Sequence, residues 1–198
     1  MSVTRIQVGI LAVQGDVDAH AQALERLGAG VRHVLREKDL DAVDALILPG
    51  GESTTIAKGL QRLGLYEPVE AFAHAGRPLL GTCAGAVLLA REVECHPVRS
   101  LGVLDVVAVR NAYGTQVDSF ATRVEESAEG FADLRCVFIR APRLRDPGPE
   151  VQVLARVGGW PVLVREGNVL ASTFHPELTG DCRVQQLLLD LARSAQSR

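Results

Sequence analysis

The run Leu79-Leu80-Gly81-Thr82-Cys83-Ala84-Gly85-Ala86-Val87-Leu88-Leu89-Ala90 constrains the fold more than any other stretch of this chain. An apolar strand end passes into a turn of small residues, and a helix-forming run follows. Cys83 sits at the apex. The pattern is the G-x-C-x-G counterpart of the G-x-S-x-G elbow, in which a sharp strand-to-helix turn exposes one nucleophile. Such an apex is held in strained backbone geometry, so its neighbours must carry almost no side chain. The helix that follows brings a partial positive charge and free N–H groups, which favour a thiolate and can hold an oxyanion. A buried, inert cysteine is the alternative for this pentapeptide taken alone.

The flanking sequence fits the strand–helix reading. Ile6 to Val13 is a nearly continuous apolar run, the mark of a strand buried on both faces. Gln14-Gly15 ends it, and Asp16 is placed to cap a helix carrying Ala21, Leu24 and Leu27. Val31 to Leu35 is a second strand, Leu40 to Asp44 a connector, and Ala45 to Leu48 a third strand. The third strand runs into Pro49-Gly50-Gly51-Glu52-Ser53-Thr54-Thr55, where Gly-Gly allows a tight turn and Ser53 is the expected cap of the next helix. On its own this loop also suits a plain βα turn. Tyr66 to Ala75 reads as a further helix, and Pro78 starts the elbow strand. Alternation of strand and helix implies a parallel sheet with helices on both faces and ligands at the carboxyl ends of the strands.

After Ala90 the pattern changes. Leu101–Arg110, Ser119–Val124, Cys136–Arg140, Val151–Val157 and Trp160–Arg165 read as strands separated by turns, which makes this half antiparallel or mixed. Arg143 to Glu150, with Pro147 and Pro149, is the best candidate for a mobile loop. Val169 to Phe174 is the final strand, and Gly180-Asp181 opens a helix with Val184, Leu187, Leu188 and Leu191 on one face. The 198 residues suit one α/β domain, 1–198. A net charge of −3 gives no reason to expect nucleic acid or an anionic membrane. No apolar run reaches the roughly 18 residues of a membrane span, and the N-terminal residues lead into a strand without a secretory pattern. The four cysteines are scattered with no C-x-x-C pair, so neither zinc nor a redox couple is signalled, and a cytoplasmic setting is the simplest expectation.

A cysteine nucleophile needs a base, and the base needs an orienting partner. Of five histidines, His74 and His96 read as solvated and His33 falls in a short strand. His20 lies on the first helix, where a surface or capping position is the simplest expectation. Only His175 follows an apolar strand directly and has a carboxylate two positions on. Pro176 favours an extended backbone at His175, so Glu177 projects to the same side and can reach its ring. The triad expected is Cys83, His175 and Glu177.

Gly-Thr-Cys-Ala-Gly, Leu-Pro-Gly-Gly-Glu-Ser-Thr-Thr and Ser-Thr-Phe-His-Pro-Glu-Leu together resemble the class I (triad) glutamine amidotransferases. More narrowly, the chain resembles the family of glutaminase subunits of pyridoxal 5′-phosphate synthase. That match rests on Val13-Gln14-Gly15, Gly51-Glu52-Ser53-Thr54-Thr55, Arg110-Asn111-Ala112-Tyr113-Gly114 with Gln116-Val117-Asp118-Ser119-Phe120, and Phe138-Ile139-Arg140-Ala141-Pro142. Val13 stands where leucine is common, and Ala112-Tyr113 where Ser-Phe is common; neither touches a proposed catalytic atom.

The resemblance implies a flavodoxin-like three-layer α/β/α fold around a mostly parallel, mixed sheet. It implies hydrolysis of L-glutamine through a glutamyl thioester, with Gly51 and Ala84 as the oxyanion hole. Gly51, Glu52, Ser53, Arg110, Ile139 and Arg140 would surround the substrate, with either arginine gripping its carboxylate. Gln14 would couple partner docking to formation of the oxyanion hole. The implied partner is a (β/α)8-barrel synthase subunit, a double hexameric ring in the family, which receives the ammonia to make pyridoxal 5′-phosphate. No cofactor or metal is implied for the hydrolysis. Two competing readings are a glutaminase feeding imidazole glycerol phosphate synthesis and a non-catalytic binding protein on the same scaffold. The Arg-Asn and Phe-Ile-Arg-Ala-Pro segments speak against the first, and Glu177 beside His175 against the second.

Overall fold

The computed structural model describes residues 5–94, 98–110 and 119–197. In chain order the elements are β1 (Gln7–Leu11), α1 (Val17–Arg26), β2 (Gly30–Val34), α2 (Glu37–Leu40), β3 (Ala45–Leu48), α3 (Ser53–Leu63), α4 (Tyr66–His74), β4 (Leu79–Thr82), α5 (Ala84–Leu89) and β5 (Ala90–Glu94). They continue with β6 (Leu104–Val109), β7 (Ser119–Arg123), β8 (Glu126–Ser127), β9 (Arg135–Ile139), β10 (Arg143–Arg145), β11 (Gln152–Val157), β12 (Trp160–Glu166), β13 (Val169–Ser172) and α6 (Arg183–Gln196). A 3₁₀ turn, Pro176–Leu178, lies between β13 and α6.

The main sheet has the order β2-β1-β3-β4-β13-β12-β11-β8. Its first five strands are parallel; β12, β11 and β8 add antiparallel. The parallel strands are almost continuously apolar because both faces are covered. Alternate residues feed two cores. Leu46 and Leu48 of β3, Leu79 of β4 and Ala171 of β13 pack with Ile56 and Leu60 of α3, Val69 and Phe72 of α4, and the body of α5. Ala45 and Ile47, Leu80 and Leu170 point the other way, onto Leu24 of α1 and Val184, Leu188 and Leu189 of α6. The result is the expected three layers. Burying a side chain such as Leu24 or Leu188 fully contributes about 1.5–3 kcal/mol each.

Two small sheets flank this frame. β10-β6-β5 packs on the α3–α5 side, and the antiparallel pair β7-β9 on the α1–α6 side. Here the sequence reading needs correction. Leu88 and Leu89 end a short helix, and Ala90 (ψ 150°) starts β5, paired in parallel with β6. The stretch expected to be a mobile loop begins as β10, paired with β6, and continues with a Gly148 N–H bond to the Asp105 carbonyl. The expected cap of α3 also differs. Glu52 is the cap, its carboxylate accepting from Thr54 N–H (3.1 Å) and Thr55 N–H (2.7 Å), while Ser53 is the first helical residue. Asp16 caps α1 as expected, accepting from Ala19 N–H at 3.1 Å. No helix among the described residues is long and apolar enough to cross a membrane.

Candidate active site

The site gathers at the carboxyl ends of three adjacent strands, β3, β4 and β13. From β4 the chain turns through Cys83, which has φ 50° and ψ −106°. A non-glycine residue in that region is strained and persists only where its surroundings fix it. Here its N–H donates to the Ser172 carbonyl at 2.8 Å, locking the elbow to β13, and Val87 N–H returns to the Cys83 carbonyl at 3.3 Å. The small residues after the apex have a steric reason. A Cβ on Gly85 would lie 2.0 Å from the Leu48 carbonyl oxygen, so α5 can start this close to β3 only with glycine there. Cys83 is 6% exposed, and its thiol donates a long bond, 3.8 Å, to the Ile139 carbonyl. Ala84 is the first residue of α5, so its N–H has no acceptor within the helix.

From β13 the chain passes Thr173 and Phe174 to His175, whose N–H is held by the Val137 carbonyl of β9 at 2.8 Å. The ring Nδ1 lies 2.7 Å from Glu177 Oε1. Glu177 does not reach the ring along a simple extended strand. His175 (φ −102°, ψ 87°) leads into the 3₁₀ turn, with Pro176 at its start, and that turn swings the carboxylate under the imidazole. Both groups are largely shut off from solvent; the Glu177 side chain is 1% exposed.

From β3 the Gly50-Gly51 turn closes the third side. A Cβ on Gly50 would stand 2.4 Å from His175 Cε1 and 3.3 Å from Cys83 Cβ, so the turn is packed into the gap between thiol and ring. Gly51 has φ 145°, a conformation that side chains rarely adopt. Gln14, just beyond β1, accepts from Glu52 N–H through Oε1 at 3.0 Å. Glu52 in turn pairs with Arg110, Oε1 to a guanidinium nitrogen at 3.0 Å, while Arg110 also donates to Thr54 Oγ1 at 3.3 Å.

These groups face one open pocket of about 170 Å³. Cys83, Ala84, His175, Gly51, Glu52, Ser53, Arg110, Ile139 and Arg140 all line it, joined by Val87 and Pro142, which the sequence reading did not include. Glu177 stands behind His175 rather than in the wall, and Gln14 stands behind the Gly51-Glu52 loop. Arg140 follows β9 with φ 44°. Of the sequence segments behind the family resemblance, Asn111–Asp118 lies outside the described residues, as do Cys95 and His96.

The larger correction concerns His20. It is neither at the surface nor a cap: it is fully buried, with Nε2 3.5 Å from Glu177 Oε1 and 3.3 Å from Thr82 Oγ1. A signal for this existed. His20 is three, four and seven residues before Ala23, Leu24 and Leu27, and so belongs to the apolar face of α1.

Two imidazoles thus share one carboxylate, and their environments push them apart. For His20, burial against charge dominates and lowers the pKa below 6.5, despite Glu177 and Asp16. For His175, burial also opposes charge, but hydrogen bonds with Cys83 and Glu177 outweigh it and raise the pKa to about 10. Burial pushes Glu177 up, yet the His175 bond and both imidazoles bring it below the ordinary carboxylate range. Glu52 is likewise opposed by burial and still drawn down to about 2 by the Thr54 and Thr55 bonds. Among the described residues no cluster has the makings of a metal site.

Comparison with known proteins decides the family. The model of the SNO glutamine amidotransferase family matches residues 10–193. The chain belongs to that family. A family relative from Thermus thermophilus, named pyridoxal 5′-phosphate synthase subunit PdxT, is 52% identical over 187 residues, 93% of this chain and 97% of its own length. One of the same name from Koribacter versatilis is 48% identical over 192 residues, covering 97% of this chain and 98% of the relative. A crystal structure described as a glutamine amidotransferase superposes with a TM-score of 0.89 at 48% identity, over 94% of this chain and 98% of the other. A structure of PurLQS from Thermotoga maritima, at 18% identity and a TM-score of 0.66, shares the fold with the family. The α/β architecture is therefore that of the class I glutamine amidotransferases.

Proposed function

We propose that this chain hydrolyses L-glutamine to glutamate and ammonia and delivers the ammonia to a pyridoxal 5′-phosphate synthase subunit. One observation carries the reading: a strained apex cysteine and a carboxylate-held imidazole open onto one pocket, across a glycine turn too tight for any side chain. The relatives, named as subunits of pyridoxal 5′-phosphate synthase, supply the pathway.

In this mechanism the proton of Cys83 is held on His175, whose charged form the fold favours, and the sulfur attacks the side-chain amide carbon of glutamine as a thiolate. The N–H groups of Ala84 and Gly51 hold the oxyanion. His175, whose charged form is well supported by Glu177, keeps the proton until the departing nitrogen takes it. Ammonia leaves, and water activated by the same imidazole cleaves the glutamyl thioester. Glu52, Ser53, Arg110, Ile139 and Arg140 position the amino-acid end of the substrate. The arginines suit the carboxylate, and Glu52 suits the ammonium. The partner is a (β/α)8-barrel synthase arranged as a double hexameric ring, which keeps ammonia from being protonated in water. Gln14, bonded to Glu52 N–H beside Gly51, links docking to the orientation of the Gly50–Gly51 peptide.

The test is glutamate and ammonia release, with and without the synthase subunit, by the native chain and by Cys83→Ala. Turnover by the native complex and its loss in Cys83→Ala are expected. Turnover surviving in Cys83→Ala, or none in the native complex, overturns the reading.

A further inference from the structure

His175 accounts for one face of Glu177. The other face meets a group that the triad chemistry leaves unused. His20 comes from α1, more than one hundred and fifty residues earlier in the chain, and is fully buried in the interior. Its Nε2 lies between Glu177 Oε1 and Thr82 Oγ1, at 3.5 and 3.3 Å. Thr82 is the residue before Cys83 and is itself fully buried. One ring therefore touches both the carboxylate that holds the base and the strand end that holds the thiol.

We propose that His20 is a positioning residue for glutamine hydrolysis, with its neutral Nε2–H fixing Glu177 Oε1 beneath His175. The inference deepens the reading given above and rests on it. Its chemistry follows from the geometry. A carboxylate oxygen facing Nε2 selects the tautomer that carries the proton there, because a lone pair in that place would face negative charge. Thr82 Oγ1, at 3.3 Å, accepts from the same N–H. A neutral donor suits this place better than a cation. A lysine, or a protonated histidine, would compete with the His175 imidazolium for the one carboxylate. An amide-like N–H steadies Glu177 and leaves its charge to His175.

Glu177 Oε1 therefore accepts one hydrogen bond, from His175 at 2.7 Å, and faces the His20 ring nitrogen at 3.5 Å on its other side. Removal of the His20 ring leaves that side of Glu177 without a polar neighbour, and the base loses its fixed direction toward Cys83. The loss falls on the chemical step, because His20 is screened from the pocket by Glu177 and touches no substrate.

The first measurement uses the native protein complexed with its synthase partner. Nitrogen-15 NMR of histidine-labelled chain at neutral pH is expected to show His20 neutral with its proton on Nε2; a proton on Nδ1 overturns the proposal. The second compares His20→Gln, which keeps an N–H donor, with His20→Phe, which fills the space without one. His20→Phe is expected to lower kcat about tenfold, the scale of one hydrogen bond to an ionised group, with KM unchanged and His20→Gln recovering most of the rate. Equal kcat in His20→Phe and the native chain overturns the positioning role, as does an equal loss in both variants. Cys83→Ala run alongside separates the two levels. If it retains turnover, the glutaminase reading itself fails; if it is dead while His20→Phe is fully active, only the role of His20 fails.

Discussion

Gly50→Ala tests the geometry of the site more sharply than removal of any reacting group. The added Cβ would lie 2.4 Å from His175 Cε1, 3.1 Å from Nδ1 and 3.3 Å from Cys83 Cβ, where ordinary contact begins at 3.4 Å. The ring must therefore move by about 1 Å relative to the Gly50 turn. It has little room to retreat toward Glu177, because Nδ1 and Oε1 already stand 2.7 Å apart. Either the imidazole rotates out of line with the thiol, or the turn that ends in Gly51 lifts away. Misplacement on the order of 1 Å costs about 100-fold in rate. Gly50 is outside the left-handed region, so alanine is conformationally allowed there, and the restricted unfolded chain offsets some of the strain. Steady-state glutamate release with the synthase subunit present should show kcat down about 100-fold, in a protein that still melts cooperatively and still docks. A native kcat in Gly50→Ala would refute the claim that this turn sets the distance between thiol and base.

Two further outcomes concern stability. The charged form of His175 is favoured in the fold, with its pKa raised from 6.5 to about 10. Its contribution is complete below about pH 6.5 and is lost as pH rises toward about 10. Urea unfolding across that range should show a steeper decline in the native chain than in Glu177→Gln; parallel curves count against the His175–Glu177 pair as the cause. Glu52→Ala should destabilise the chain by about 1 kcal/mol at neutral pH through loss of the α3 cap. Because the Glu52 carboxyl is drawn from 4.5 to about 2, the difference between native and variant should shrink as pH falls through that interval. A difference constant from neutral to acid would show that the cap bonds do not depend on the carboxylate.

Much of this arrangement is legible in the sequence because local chemistry and tertiary packing agree. Cys83 between small residues, Gly50-Gly51 after an apolar strand, and His175 two residues before a carboxylate each follow a strand buried on both faces. Such strands are readable from composition alone. The misreadings arise where local signals compete. Ser53 is a better cap by residue type than Glu52, yet the longer carboxylate reaches two N–H groups and pairs with Arg110 at once. Leu88-Leu89-Ala90 continues a helical pattern, and only pairing with β6 turns Ala90 into a strand. Strands of two or three residues, such as β8 and β10, carry too little periodicity to register before their partners are known. His20 was hidden for another reason: histidine is ambivalent about burial, so its residue type said less than its place on the apolar face of α1.

The order of the main sheet has a consequence for how the protein is made. β13 occupies an inner slot, between β4 and β12, although it is the last strand in the chain. During synthesis the thiol emerges long before the imidazole and carboxylate that would arm it. The sheet stays open along the edge of β4 until β13 inserts, and insertion supplies the Ser172 carbonyl that holds the elbow together with His175 and Glu177. A nascent or prematurely ended chain therefore carries Cys83 without the imidazole and carboxylate that stand beside it in the complete fold. The imidazole and carboxylate reach Cys83 only with the event that closes the fold.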